Sequence, residues 1–155
     1  MRKNSLIIAV LSIFVGVSCS MARHHARAPI RQGIAGQILW VTGNRMPSPD
    51  APLPPPKGIR CSLYVHHLTS SSQVTRAGNG GFFSKIGTPL VKSLESDEEG
   101  NFSVELPEGS YSVFMGAKGM FYANISDHLG QISPVYVHKD SITRVQLQLD
   151  YQAVY

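Results

Sequence analysis

Charged side chains are scarce in this chain of 155 residues, in which Asp, Glu, Lys and Arg together make up 15%. Average soluble proteins carry about a quarter. The formal net charge is +4, and setting aside residues 1–18, which hold Arg2 and Lys3, leaves 12 basic against 10 acidic side chains. A balance so close to neutrality predicts no large basic surface. We therefore expect no nucleic-acid partner.

Cysteine is almost absent as well, because Cys19 and Cys61 are the only two in the chain. If Cys19 is blocked by a lipid, as argued below, no intramolecular disulfide can form. Cys61 falls on the apolar face of a predicted strand, which favours a small buried hydrophobic residue. A reactive nucleophile is the alternative interpretation.

Motifs that hold cofactors or metals are missing too. The glycine-rich residues 78–81 are followed by neither the lysine nor the helix start of a phosphate-binding loop. The acidic turn at residues 97–101 lacks the regular oxygen ligands of a calcium loop. The neighbouring His24 and His25 lie in a segment without a fixed third ligand. We therefore predict no catalytic, cofactor-binding or metal-binding residues and no cofactor.

What the chain does have is an export signal at residues 1–18. A short positive start is followed by an apolar run of 13 residues, from position 5 to position 17. Such a run is typical of a signal peptide and is shorter than the about 20 residues of a membrane span. Residues 16–19 (GVSC) resemble a bacterial lipoprotein signal, in which Cys19 would become the acylated first residue of the mature chain. Ordinary cleavage nearby, with loss of Cys19, is the alternative.

Lipidation of Cys19 predicts both the partner and the location of the protein. Each buried CH₂ of an acyl chain contributes roughly 0.8 kcal/mol, so several chains such as palmitate anchor a protein stably. We expect an exported protein held at the bacterial cell envelope, on the outer membrane, through Cys19. Residues 19–32 predict a flexible tether, whose arginines could also touch anionic head groups.

Beyond the tether, residues 33–155 predict one all-β domain. Residues 96–115 (SDEEGNFSVELPEGSYSVFM) show the period of two of strands with one buried face. We predict an antiparallel hairpin here, with Gly109 at positive φ in the tight turn and Gly100 left-handed in the turn before it. Further strands are predicted at residues 33–43, 58–69, 88–96, 120–125, 132–138 and 142–151. The whole predicts an antiparallel β-sandwich of seven or so strands.

Two segments between these strands are predicted to be loops. Residues 44–57 contain six prolines, which cannot donate to a strand ladder, so they predict a stiff loop and a candidate partner contact. Residues 70–87 are rich in Ser, Gly and Asn and predict a flexible loop. Within it, Phe82 and Phe83 are expected to cap the sandwich, with an exposed patch as the alternative.

Three segments of the predicted domain resemble a known family. Residues 33–38 (GIAGQI), 96–102 (SDEEGNF) and 106–111 (LPEGSY) resemble carboxypeptidase regulatory-like domains. The resemblance implies a prealbumin-like, or transthyretin-like, β-sandwich over residues 33–155. It implies no peptidase activity, because the zinc-dependent catalytic domain that accompanies such domains needs a far longer chain. The proline loop departs from the family pattern and is more similar to small Bacteroidetes-type lipoproteins.

Three functions remain open on the sequence. The first is a non-catalytic, lipid-anchored envelope protein that acts as a structural or binding module, with an envelope protein or a glycan as partner. The second is a carbohydrate-binding module, which would need exposed aromatic side chains on one surface; the candidates are Trp40, Tyr64, Phe82, Phe83 and Tyr122. The third is a small hydrolase, for which the candidate groups are Cys61 with His66 or His67, and Asp127 with His128.

One modification site is also predicted. Asp140-Ser141-Ile142 resembles the acceptor sequence of Bacteroidetes O-glycosylation. Ser141 is therefore a candidate O-glycosylation site in the predicted turn before the last strand.

Overall fold

The computed structural model describes residues 30–47 and 53–155. The predicted signal peptide, Cys19, nearly all of the tether and the middle of the proline loop lie outside the described residues. Within those two ranges, no helix is both long and apolar enough to cross a membrane.

The predicted all-β class and sandwich architecture are confirmed. The described residues form eleven strands and a single 3₁₀ turn at Ser71–Gln73, with no α-helix among them. The strands are β1 (Gly33–Asn44), β2 (Lys57–Gly58), β3 (Ser62–His67), β4 (Val74–Arg76), β5 (Phe82–Ile86), β6 (Leu90–Glu95), β7 (Asn101–Glu105), β8 (Gly109–Ala117), β9 (Met120–Tyr122), β10 (Pro134–Val137) and β11 (Ile142–Val154). The count exceeds the predicted seven or so because several of the strands are only two to four residues long.

The smaller sheet is built around β1. Its partner on one side is β11, which runs parallel to it from Gly33 opposite Ile142 to Asn44 opposite Val154. On the other side β7 and then β2 pair antiparallel with it. The parallel pair departs from the predicted antiparallel arrangement. Parallel strands need a long crossover connection, and here most of the domain separates the two.

The larger sheet has the strand order β4-β5-β9-β8-β3-β6, and β10 also pairs with β8. All its pairings are antiparallel. The main core lies between the two sheets, and apolar side chains at alternate strand positions are buried in it: Ile34, Ile38, Phe102, Val104, Leu147 and Leu149 from the smaller sheet, and Leu63, Val65, Tyr111, Val113 and Met115 from the larger one.

The predicted hairpin of residues 96–115 is wrong in its pairing. Strand β7 pairs with β1, whereas β8 pairs with β3, β9 and β10, so the two strands lie in opposite sheets. Pro107, which has no N–H to donate, follows the buried Leu106 at the crossing. The Tyr111 hydroxyl donates to the Pro107 carbonyl at 3.0 Å and closes the corner. The apolar faces of β7 and β8 therefore meet across the core instead of side by side.

The two glycines predicted at positive φ differ. Gly100 has φ 81°, as predicted, in a turn where the Gly100 N–H donates to Asp97 at 3.0 Å. Gly109 lies outside the left-handed region and begins β8. The chain changes sheets at this point, so no tight hairpin turn is needed there.

A second buried cluster covers the other face of the larger sheet. It consists of Phe83, Phe114, Ala123 and Ile132. The alternation pattern predicts Ser112 and Phe114 on the outward face of β8, yet both are fully buried. The predicted loop at residues 70–87 is also wrong in part, because it contains the 3₁₀ turn, β4 and β5. Phe82 packs in the main core and Phe83 in the second cluster, since neighbouring strand residues point to opposite faces.

The predicted strand at residues 58–69 is interrupted. Only Lys57–Gly58 pairs with β1, and the chain then moves to the larger sheet as β3. Ser96 holds this crossing: its Oγ accepts from the Cys61 N–H at 2.8 Å and donates to the Ile59 carbonyl at 2.9 Å. The crossing divides the predicted strand between the two sheets.

Candidate binding groove at the far end of the sandwich

The parallel pairing of β1 and β11 gives the sandwich two distinct ends. The chain enters at what we call the entry end, where Gln32 Nε2 donates to the Leu106 carbonyl at 2.9 Å. Gln32 Oε1 accepts from the Asp140 N–H there, also at 2.9 Å, so the last residue of the predicted tether is already docked. Both strands finish at the opposite, far end. Eleven steps of β1 put the ends roughly 36 Å apart.

A groove of about 450 Å³ lies at the far end, beside the last residues of β11. The segment after β9 and the β4–β5 hairpin form its other walls. Its polar and charged lining side chains include Arg76, Tyr122, Asn124, Asp150 and Tyr155. A volume of this size falls in the range of small-molecule sites, which span about 300–1,000 Å³.

Asp150 is the centre of the groove's hydrogen bonding. Its Oδ1 accepts from the Tyr122 hydroxyl at 2.5 Å and from Asn124 Nδ2 at 2.7 Å. Its Oδ2 accepts from the Tyr155 hydroxyl at 3.0 Å. Three donors from two segments, residues 122–124 and the end of the described chain, therefore converge on one carboxylate, which fixes their side chains relative to one another.

Both tyrosine hydroxyls are held in the protonated state. Burial, and then the hydrogen bond to Asp150, raise the pKa of Tyr122 well above its ordinary value. The hydrogen bond to Asp150 is the main cause that raises the pKa of Tyr155. Since an ionised phenol could not donate to the carboxylate, the raised pKa values let both hydroxyls remain donors to a higher pH than an isolated tyrosine would.

Cationic side chains and the proline loop adjoin the groove. The Arg76 guanidinium lies 5.5 Å from the centroid of the Phe83 ring. Arg45 holds one described part of the proline loop, because its Nη1 donates to the Pro54 carbonyl at 2.5 Å. The Arg45 N–H donates to the Val154 carbonyl at 2.7 Å, which ties the start of that loop to the end of β11.

The aromatic residues predicted for sugar stacking do not form an exposed row. Phe82, Phe83 and Tyr122 are buried, and Trp40 and Tyr64 are half-buried. Trp40 instead makes an edge-to-face contact with Tyr151, with ring centroids 5.1 Å apart. The exposed aromatic ring of the groove belongs to Tyr155, which is 67% exposed and was not among the predicted residues.

Two of the groups considered for a hydrolase, His66 and Asp127, already have backbone partners. Burial raises the pKa of the Cys61 thiol, which disfavours a nucleophilic thiolate. His66 is buried with Nδ1 2.8 Å from the Thr88 carbonyl, whereas the neighbouring His67 is exposed, because neighbouring strand residues point to opposite faces. Asp127 Oδ1 accepts two backbone N–H groups of its own turn. Among residues 30–47 and 53–155, no three His, Cys, Asp or Glu side chains could hold a metal ion together.

Of the two predicted modification sites, only Ser141 lies within the described residues. Cys19 lies outside the described residues. Ser141 lies at the entry end, partly buried, and its carbonyl accepts from the Gly33 N–H at 3.0 Å. O-glycosylation of Ser141 stays a prediction.

Asp150, Asn124 and Tyr155 were missed at the sequence level, although one signal pointed towards them. The alternation of the last strand predicts Asp150 on the outward face, beside Tyr151 on the inward face. No pattern in the sequence relates Asp150 to Asn124, 26 residues earlier. Only the pairing of distant strands brings them together.

Comparison with known proteins adds no further assignment: a scan against protein-family models, a search of curated proteins and a search of solved structures each found no match. The resemblance to carboxypeptidase regulatory-like domains therefore stays a prediction.

Proposed function

We propose that this protein is an exported, lipid-anchored binding module of the bacterial cell envelope, without catalytic activity of its own. In this proposal, acylated Cys19 holds the chain at the outer membrane, and the β-sandwich presents the groove around Asp150 to a partner. The leader at residues 1–18 and the GVSC sequence that ends in Cys19 support the anchoring half.

The observation that carries the binding half is the position of the groove relative to the chain entry. The fourteen steps from Cys19 to Gly33 can span at most about 50 Å, so the entry end would stay near the membrane. The groove lies at the other end of β1 and β11. A tether that joins the entry end leaves the groove at the opposite end uncovered by its own attachment, so a partner can reach it.

The anchoring half can be tested with the two cysteines. We expect Cys19→Ala to abolish labelling by a palmitate analogue and to move the exported protein from the membrane fraction to the soluble fraction. Cys61→Ala is the matched control, because it removes the other cysteine, and it should keep both the label and the membrane location. Equal labelling of the wild type and Cys19→Ala would overturn the proposal.

The binding half can be tested by site-specific photo-crosslinking in cells that make the full chain. A photoreactive residue in place of Ile125, which lines the groove and is 54% exposed, should form crosslinks to an envelope component. The matched control is the same residue in place of Glu108, which is exposed at the entry end. Crosslinks from position 108 alone, or from neither position, would contradict a partner at the groove.

A further inference from the structure

We infer that the groove around Asp150 recognises an uncharged carbohydrate chain. This inference rests on the proposed function, because it names the ligand class of the same groove. It draws on three features of the far end: the unused hydrogen-bonding capacity, the exposed ring of Tyr155 and the charges of the lining side chains.

The hydrogen bonds inside the groove leave both donors and acceptors for a ligand. A carboxylate has about four acceptor positions. Two donors bind Oδ1 of Asp150 and one binds Oδ2, so one position on Oδ2 stays open to a ligand. The Tyr155 hydroxyl donates to Asp150 and can still accept. Asn124 uses one amide hydrogen and keeps its carbonyl oxygen. A ligand hydroxyl, which donates and accepts at once, matches such a mixed set.

The ring of Tyr155 offers a flat apolar surface next to these polar groups. It is 67% exposed, yet its hydroxyl is bound to Asp150 Oδ2. The hydrogen bond limits the motion of the ring, so less conformational entropy is lost when a ligand packs on it. Sugars present apolar C–H faces together with hydroxyl edges, and this combination fits a ring beside hydrogen-bonding groups.

The charges of the groove favour a neutral ligand. Arg76 and Asp150 are its only charged lining side chains in the part of the chain that the structure describes. Arg45 lies beside the groove without lining it, and its Nη1 donates to the Pro54 carbonyl. An anionic ligand that reached Asn124 would meet the Asp150 carboxylate, and a cationic one would meet the Arg76 guanidinium. A ligand without charge avoids both repulsions and can use both groups as hydrogen-bonding partners.

The test uses the exported full chain and an array of neutral oligosaccharides, comprising glucans, mannans, galactans and N-acetylhexosamine oligomers. We expect the wild type to bind at least one class, and Tyr155→Ala to weaken this binding about ten-fold, as for loss of one stacked ring. Tyr155→Phe keeps the ring and removes the hydroxyl, so a smaller loss is expected. Melting curves of each variant check that the domain stays folded.

Tyr136→Ala is the matched control. Tyr136 is also exposed, at 45%, and its hydroxyl donates to Gln131 Oε1 at 3.1 Å. It lies on β10 and does not line the groove. Equal weakening in Tyr136→Ala and Tyr155→Ala, or no weakening in either, would overturn the inference. Failure to bind any oligosaccharide, while position 125 still crosslinks to a protein, would overturn the ligand class alone. Absence of crosslinking at position 125 would instead overturn the proposed function.

Discussion

The burial of Phe114 leads to the most discriminating stability prediction, because alternation along β8 assigns this residue to solvent. In the structure it is fully buried in the second cluster. Its ring makes edge-to-face contacts with Phe83, Phe121 and His66, at centroid distances of 5.9, 6.4 and 5.7 Å. Removing the ring should therefore leave a cavity beneath the β4–β5 hairpin.

The size of the change in stability distinguishes a buried Phe114 from a solvent-exposed one. Truncating a buried phenylalanine to alanine costs about 3–5 kcal/mol, which is a large fraction of a total stability of about 5–15 kcal/mol. A substitution at a solvated strand position changes the free energy of unfolding by at most about 0.5 kcal/mol. For a domain of this size, the first outcome lowers the melting temperature by roughly 10–20 °C.

Urea unfolding of the exported Cys19→Ala protein would measure this difference. Trp40 is the only tryptophan, and its half-buried position makes its fluorescence a probe of the main core. Phe114→Leu should cost less than Phe114→Ala, since it keeps part of the volume. Ser110→Ala, at an exposed position of the same strand, is the control. A Phe114→Ala protein within about 0.5 kcal/mol of the wild type would refute the two-sided coverage of the larger sheet.

Three further predictions concern the close contacts of the sandwich. A Cβ at Gly36 would lie 1.9 Å from a carbonyl oxygen of β11, so Gly36→Ala should cost at least the ~1–3 kcal/mol typical of overpacking; an unchanged melting temperature would contradict this close approach. Ser96→Ala removes the acceptor of the buried Cys61 N–H and should cost about 1–3 kcal/mol in urea unfolding, against at most about 0.5 kcal/mol for the exposed control Ser93→Ala. The pKa of Tyr122 is raised in the folded protein, so the unfolded chain ionises first as the pH rises. Tyr122 therefore stabilises the folded state fully below about pH 10, and this stabilisation is lost as the pH rises further. Tyr122→Phe should therefore make the decline of the unfolding free energy between pH 9 and 12 shallower by up to about 1.4 kcal/mol per pH unit, and identical slopes in the two proteins would argue against the effect.

Local pattern predicted most of the longer strands of this protein and most of its main core, although it missed β4 and β5 in the predicted loop at residues 70–87. The inward positions of β7, β8 and β11, such as Val104, Val113 and Leu147, follow from period-two alternation and are buried as predicted. The pattern failed at Phe114 because it assumes that one face of each strand meets solvent. Here the chain folds a second layer over the larger sheet, and alternation carries no information about such a cover.

Strand pairing was the weakest part of the prediction. Neighbouring strands with matching alternation were expected to form a hairpin, but β7 and β8 bury the same side chains by facing each other across the core. The two arrangements remove similar apolar area from water, so the sequence pattern cannot choose between them. The corner at Pro107 and the pairing of β7 with β1 decide the matter.

The sequence by itself determined the all-β class, the inward-facing positions and the expectation of an export signal ending at Cys19, because each depends on the chemistry of adjacent residues. Only the tertiary structure decided that β1 and β11 run parallel and that Tyr122, Asn124 and Tyr155 meet at Asp150. Except for the Tyr155 hydrogen bond, which spans five residues, those contacts join segments far apart in the chain, and their free energy depends on the assembly of both sheets rather than on any local preference.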